Sequence, residues 1–149
     1  PFMQPMGLLV CDGEKLQKRF PAGEWGTFLV TAKGAEIIKS ADKLPAGVKQ
    51  AVEGKPRLVI AGRIPSFKFQ PAARRSAVGL DTQGRVVLAA TGSFLTLEQW
   101  AAVMKNDLAC VKALNLDGGP STQLCVSGEN SQAILGGWPV PVLIVVEAR

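Results

Sequence analysis

Short apolar runs broken by glycine and proline fill most of the chain, and they read as strands. Gly7-Leu8-Leu9-Val10-Cys11 is a buried run closed by the turn pair Asp12-Gly13. Gly26-Thr27-Phe28-Leu29-Val30-Thr31 and Ala35-Glu36-Ile37-Ile38-Lys39 form two more, joined through Lys33-Gly34, and Leu58-Val59-Ile60-Ala61 ends at Gly62. Residues 75–80 and 85–90 flank Asp81-Thr82-Gln83-Gly84 and predict a hairpin. Val111 to Leu116, Gln123 to Val126 and Val142 to Val146 complete the strand set, the last of them closing the sheet.

Helical spacing is rarer. Thr96 precedes Leu97, Trp100, Ala101, Met104 and Leu108, which fall on one face, and Gln99 stands where a capping box needs it. That stripe reads as core. A shorter helix is expected from Pro45 to Glu53, stopped by Gly54. Strands outnumber the two or so helices and do not alternate with them strictly. The expected class is therefore α+β, a mostly antiparallel mixed sheet in a single domain over residues 1–149.

Composition narrows the chemistry. With 47% hydrophobic and 19% charged residues the chain is of the folded, globular kind, and no apolar run reaches the roughly 20 residues of a membrane helix. The net charge of +5 leans toward anionic partners. The basic residues are scattered and aromatics make up only 6%, with no Tyr, which argues against nucleic acid. Cys11, Cys110 and Cys125 have no metal or redox spacing. The chain has no histidine, and this excludes Ser-His-Asp, Cys-His and histidine-zinc chemistry. Catalysis is left to carboxylates, Arg and Lys, hydroxyls, backbone amides or an oxygen-ligated metal. No cofactor is called for, and nothing demands a cation at Asp117.

One loop carries the right groups. Leu116-Asp117-Gly118-Gly119-Pro120-Ser121-Thr122 puts a carboxylate at the end of an apolar strand, where burial without a partner is costly. Two glycines let backbone amides approach an anion, and Ser121 and Thr122 add hydroxyls. The same residues also make an ordinary turn between strands, and the loop alone does not separate the two readings. It is not a P-loop, because no Gly-Lys-Ser/Thr follows.

Taken together, residues 75–81, Gly84-Arg85-Val86, the Leu95-Thr96 helix start and residues 113–122 resemble the phosphodiester glycosidase family, to which the lysosomal "uncovering enzyme" belongs. The agreement in order and spacing runs over roughly residues 74 to 127, and more loosely from residue 5 onward. The resemblance implies hydrolysis of a sugar-1-phosphodiester, with Arg75 opening the first motif and Asp117, Gly118, Gly119, Ser121 and Thr122 in the second. Pro120 departs from the pattern, standing where the family usually has a third glycine.

Phe2, Pro5, Gly7 and Leu8 match the tail of an upstream strand whose asparagine would fall before Pro1. The expectation is a chain without the family's N-terminal strand. The resemblance also implies a periplasmic or secreted location and an envelope glycan, exopolysaccharide or other sugar-phosphate substrate.

Expelling a phosphate monoester needs little general-acid help, so a site without histidine suffices. Asp117 would stabilise the cationic sugar centre or activate water, and Arg75 would hold the phosphate. The Gly118 and Gly119 amides and the Ser121 and Thr122 hydroxyls would orient the substrate. Arg74 would point to the opposite face; a second carboxylate is sought at Asp12, at Glu129 or in the missing upstream segment, or there is none. A non-catalytic glycan- or phosphate-binding module, and a structural domain whose Asp117 caps a turn, remain as alternatives.

Overall fold

A computed structural model describes residues 4–19 and 23–147; Phe2 lies outside the described residues. Eleven strands and one capped helix follow in the order β1 (Leu9–Cys11), β2 (Glu14–Gln17), β3 (Gly26–Thr31), β4 (Gly34–Lys39), β5 (Gln50–Gly54), β6 (Arg57–Val59), β7 (Ala73–Asp81), β8 (Val86–Leu95), α1 (Leu97–Ala102), β9 (Cys110–Asn115), β10 (Leu124–Val126) and β11 (Gln132–Ile134). They form a five-stranded sheet β2-β1-β5-β3-β4, a four-stranded sheet β6-β9-β7-β8 and the hairpin β10-β11. Every strand pairing among the described residues is antiparallel, as the α+β expectation requires.

The four-stranded sheet is covered on both faces. Ala77 and Ala113 pack with Leu97, Trp100, Ala101 and Met104 of the helical stripe. Val78, Leu80 and Leu114 point the other way, against Phe28 and Ile37 of the five-stranded sheet. The two-residue alternation along β7 thus divides its side chains between two cores. Gly79 has to be glycine for the helix to come this close, since a Cβ there would lie 2.5 Å from Cys110 Sγ and 2.9 Å from Met104 Cε. A third cluster, around Leu8, Val10, Leu29 and Ala51, belongs to the five-stranded sheet alone.

The helix starts where the sequence places it. Thr96 Oγ1 accepts from the Gln99 N–H at 3.3 Å, and Gln99 Oε1 accepts from the Thr96 N–H at 2.9 Å. Beyond Ala102 the helix widens into a π turn over Val103–Asp107.

Two expectations fail. The helix expected from Pro45 to Glu53 is instead a turn followed by β5, held between β1 and β3. Ala51 and Glu53 are buried on alternate positions, a strand period that only the neighbouring strands make visible. Val142 to Val146 does not close the sheet: it belongs to no strand ladder among the described residues, and Leu143, Val145 and Val146 are exposed. β-branched residues favour extended backbone, but a ladder also needs a neighbour in register. β2 and β11 were not anticipated, being short and largely exposed.

Candidate active site

The site is built where β7 and β9 run side by side. Ala77 stands opposite Asn115, Val78 opposite Leu114 and Gly79 opposite Ala113. The ladder continues one step past β9, where the Leu116 N–H donates to the Ser76 carbonyl at 2.9 Å. Ser76 Oγ then donates to the Asp117 carbonyl at 2.5 Å. Residues directly opposite share a face, and faces alternate along each strand. Arg75, Ala77, Asn115 and Asp117 therefore fall on one face, and Arg75 and Asp117 occupy neighbouring positions although far apart in sequence.

A cleft of about 1380 Å³ opens at this end of the sheet, and its lining includes Arg75, Asn115, Asp117, Gly118 and Ser121. Gly119 and Thr122 are not among its lining residues. Thr122 is fully buried, and its hydroxyl has no hydrogen-bond partner. The two adjacent arginines separate as expected: Arg75 lines the cleft, whereas Arg74 donates through Nη2 to the carbonyls of Leu135 and Thr122 at 2.8 and 3.4 Å. Arg74 thereby ties the glycine loop to the chain beyond β11.

Arg75 is buried and partly engaged. Its Nε donates to the Leu95 carbonyl at 3.1 Å and its Nη2 to the Pro71 carbonyl at 2.9 Å. A guanidinium has five N–H groups in a fixed fork, so these bonds fix its plane without exhausting its donors. Burial lowers its affinity for the proton, and the negative charge of Glu98 partly restores it. Arginine starts so far above neutrality that the group stays cationic. The result is a desolvated, oriented positive charge that feels the Glu98 carboxylate.

The loop itself is more committed than its sequence suggests. Asp117 Oδ1 accepts from the Gly118 N–H at 2.9 Å, so that amide serves the carboxylate. The Ser121 and Thr122 amides close a 3₁₀ turn over Gly119–Ser121, on the carbonyls of Gly118 and Gly119. Gly118 is required by a close approach, because a Cβ would lie 2.9 Å from the Arg74 carbonyl. Gly119 is required by its left-handed φ of 61°. Pro120 fits at the start of the turn, and its carbonyl accepts from the amides of Gly137 and Trp138. The loop thus offers the cleft the Asp117 carboxylate and the Ser121 side chain.

Neither carboxylate sought as a second acid is in the cleft. Asp12 sits in an exposed turn and accepts from Gln50 Nε2 at 2.9 Å, while Glu129 is exposed in the turn after β10. Glu53 lines the cleft instead. Its side chain is buried, accepting from the Leu8 N–H at 2.7 Å and pairing with Arg19 at 3.3 Å. The sequence hides it because its neighbours read as a helix. Asn115 was also passed over, as one letter of a motif. Among the described residues no group of three or more His, Cys, Asp or Glu could hold a metal ion.

A family model described as phosphodiester glycosidase matches residues 2–147. The chain belongs to the phosphodiester glycosidase family. Its fold is similar to that of the zebrafish N-acetylglucosamine-1-phosphodiester alpha-N-acetylglucosaminidase catalytic domain, auto-inhibited by its pro-peptide, with a TM-score of 0.66 and 22% identity. That match covers 80% of this chain and 48% of the zebrafish one, so the chain spans just under half the length of that relative. A hypothetical protein from Synechocystis matches with a TM-score of 0.42 and 21% identity, over 78% of this chain and 30% of the other. No curated protein matches the chain in sequence. In this member of the phosphodiester glycosidase family, the β7–β9 register brings the two distant motifs together.

Proposed function

We propose that the cleft hydrolyses a sugar-1-phosphodiester, breaking the bond between the anomeric carbon and the phosphate oxygen. The observation that carries this reading is that the pairing of β7 with the end of β9 brings Arg75 and Asp117 into the lining of one cleft, in a chain of this family. The phosphate monoester is a stable leaving group, so the main demand is for charge stabilisation rather than strong acid catalysis. Asp117 lies against the sugar centre, where its negative charge favours an oxocarbenium-like transition state or prepares a water. Arg75, held in plane by Leu95 and Pro71, offers its remaining N–H groups to the phosphate. Ser121 and the Gly118 backbone shape the contact around the leaving group. The reading carries with it a periplasmic or secreted location, where envelope glycans and exopolysaccharides are met.

A glycan- or phosphate-binding module without turnover is the second reading. It is favoured by the engagement of Glu53 with Leu8 and Arg19, which leaves proton transfer in the cleft to other groups. Incubation with N-acetylglucosamine-1-phosphodiesters, following free reducing sugar, separates the two. Turnover by the wild type and its loss in Asp117→Ala supports hydrolysis. Binding without turnover supports the module, and neither binding nor turnover contradicts both.

A further inference from the structure

Asn115 carries an acceptor that the folded chain leaves unused. Its Nδ2 donates to the Lys55 carbonyl at 3.0 Å and to the Leu116 carbonyl at 2.8 Å. Both partners are carbonyl oxygens and can only accept, so the amide cannot be turned end for end. Oδ1 is thereby assigned by chemistry. It is buried and has no hydrogen-bond partner, in a side chain whose residue is 7% exposed. Folded proteins rarely leave a buried acceptor unpaired, because it has given up its bonds to water for nothing in return.

The surroundings hold this acceptor still. The Asn115 N–H donates to the Pro56 carbonyl at 3.0 Å, so backbone and side chain are both bonded to the Lys55-Pro56 segment. Gly54 packs directly on the Asn115 carbonyl, with no room for a Cβ between them. Asn115 lines the same cleft as Asp117 and shares its face of the sheet, two residues before it. Opposite it on β7 stands Ala77.

We infer that Asn115 recognises the sugar half of the substrate, its Oδ1 accepting a hydrogen bond from a ring hydroxyl or an acetamido N–H. The inference rests on the reading that the cleft binds a sugar phosphodiester. A carboxamide oxygen repels phosphate oxygens and needs a neutral donor, which the sugar supplies and the phosphate does not. The two motifs then divide the substrate between them, with Arg75 taking the anion and Asn115 the sugar. Pre-fixed acceptors of this kind discriminate strongly, because a substrate lacking the donor leaves the buried oxygen unpaired.

The test uses hydrolysis-resistant phosphonate monoesters of N-acetylglucosamine, analogues of the phosphodiester in which a methylene replaces the anomeric oxygen and the negative charge is kept. One arm of the set lacks single ring hydroxyls, and the other carries an N-methylated acetamido group. Dissociation constants are measured by calorimetry for the wild type and for Asn115→Ala. The inference predicts one analogue that binds the wild type about tenfold or more weakly than the parent, yet is discriminated by less than about twofold in Asn115→Ala. Which analogue it is tells hydroxyl from amide. Equal penalties in both proteins, or no penalised analogue, overturn the inference alone. Failure of the parent compound to bind the wild type overturns both the inference and the reading beneath it. If Asn115→Ala does not fold, NMR of the wild type decides. The Asn115 side-chain amide signals move with the parent and not with the penalised analogue, and signals unmoved by the parent contradict the inference.

Discussion

Arg75 lines the cleft and also holds the fold together. Its bonds to Leu95 and Pro71 tie the start of β7 to the end of β8 and to the preceding loop. Arg75→Met leaves two carbonyls without their donor and is expected to cost about 2 kcal/mol of unfolding free energy in a urea titration, at the scale of a lost charged hydrogen bond. An unchanged midpoint would contradict this structural role. The cysteines give a second residue-scale check. Cys11 and Cys125 are exposed, whereas Cys110 is buried and burial pushes its thiol up, with Asp81 adding to the shift. Iodoacetamide followed by mass spectrometry is expected to label Cys11 and Cys125 rapidly and Cys110 only on unfolding. Residue type and motif pointed to Asp117 and Arg75, and both line the cleft. Thr122 was misleading, since a hydroxyl beside a glycine loop looks available in sequence but turns inward here.

At the scale of elements, the hairpin and the capped helix were readable because their signals are local. Asp81 illustrates why. Its carboxylate takes the Arg85 side chain at 2.6 Å and accepts from the Arg85 and Gln83 amides, and these bonds hold it below the usual carboxylate range. A carboxyl depressed on folding stabilises the native state above its ordinary pKa near 3.9, and loses that contribution as pH falls through the lower folded value. Stability should therefore fall on acidification below about pH 4, and Asp81→Asn should flatten that part of the profile. Urea midpoints collected between about pH 5 and pH 2 measure it, and parallel profiles would count against this role for Asp81. Thr96→Ala removes the cap and is expected to cost about 1 kcal/mol. The strand β5 was not readable, because Gln50–Gly54 owes its conformation to β1 and β3 rather than to its own sequence. The final apolar run failed for the complementary reason: it has strand propensity without a ladder neighbour among the described residues.

For the whole molecule, the four-stranded sheet sits between the helix and the five-stranded sheet, and its free end holds the site. Leu114 is fully buried at the contact of the two sheets, one residue before Asn115. Leu114→Ala should cost about 2–5 kcal/mol and loosen the site as it loosens the core. This coupling was not visible in the sequence, which supplied the motifs but not the register that sets Arg75 beside Asp117. The central claim is cleavage at the sugar carbon, and water labelling tests it most directly. An N-acetylglucosamine-1-phosphodiester is hydrolysed in H₂¹⁸O, and the released phosphate monoester is read by ³¹P NMR. Cleavage at the sugar carbon predicts a phosphate monoester without ¹⁸O, formed by the wild type and not by Asp117→Ala. Label in the phosphate, or turnover undiminished in Asp117→Ala, would contradict it.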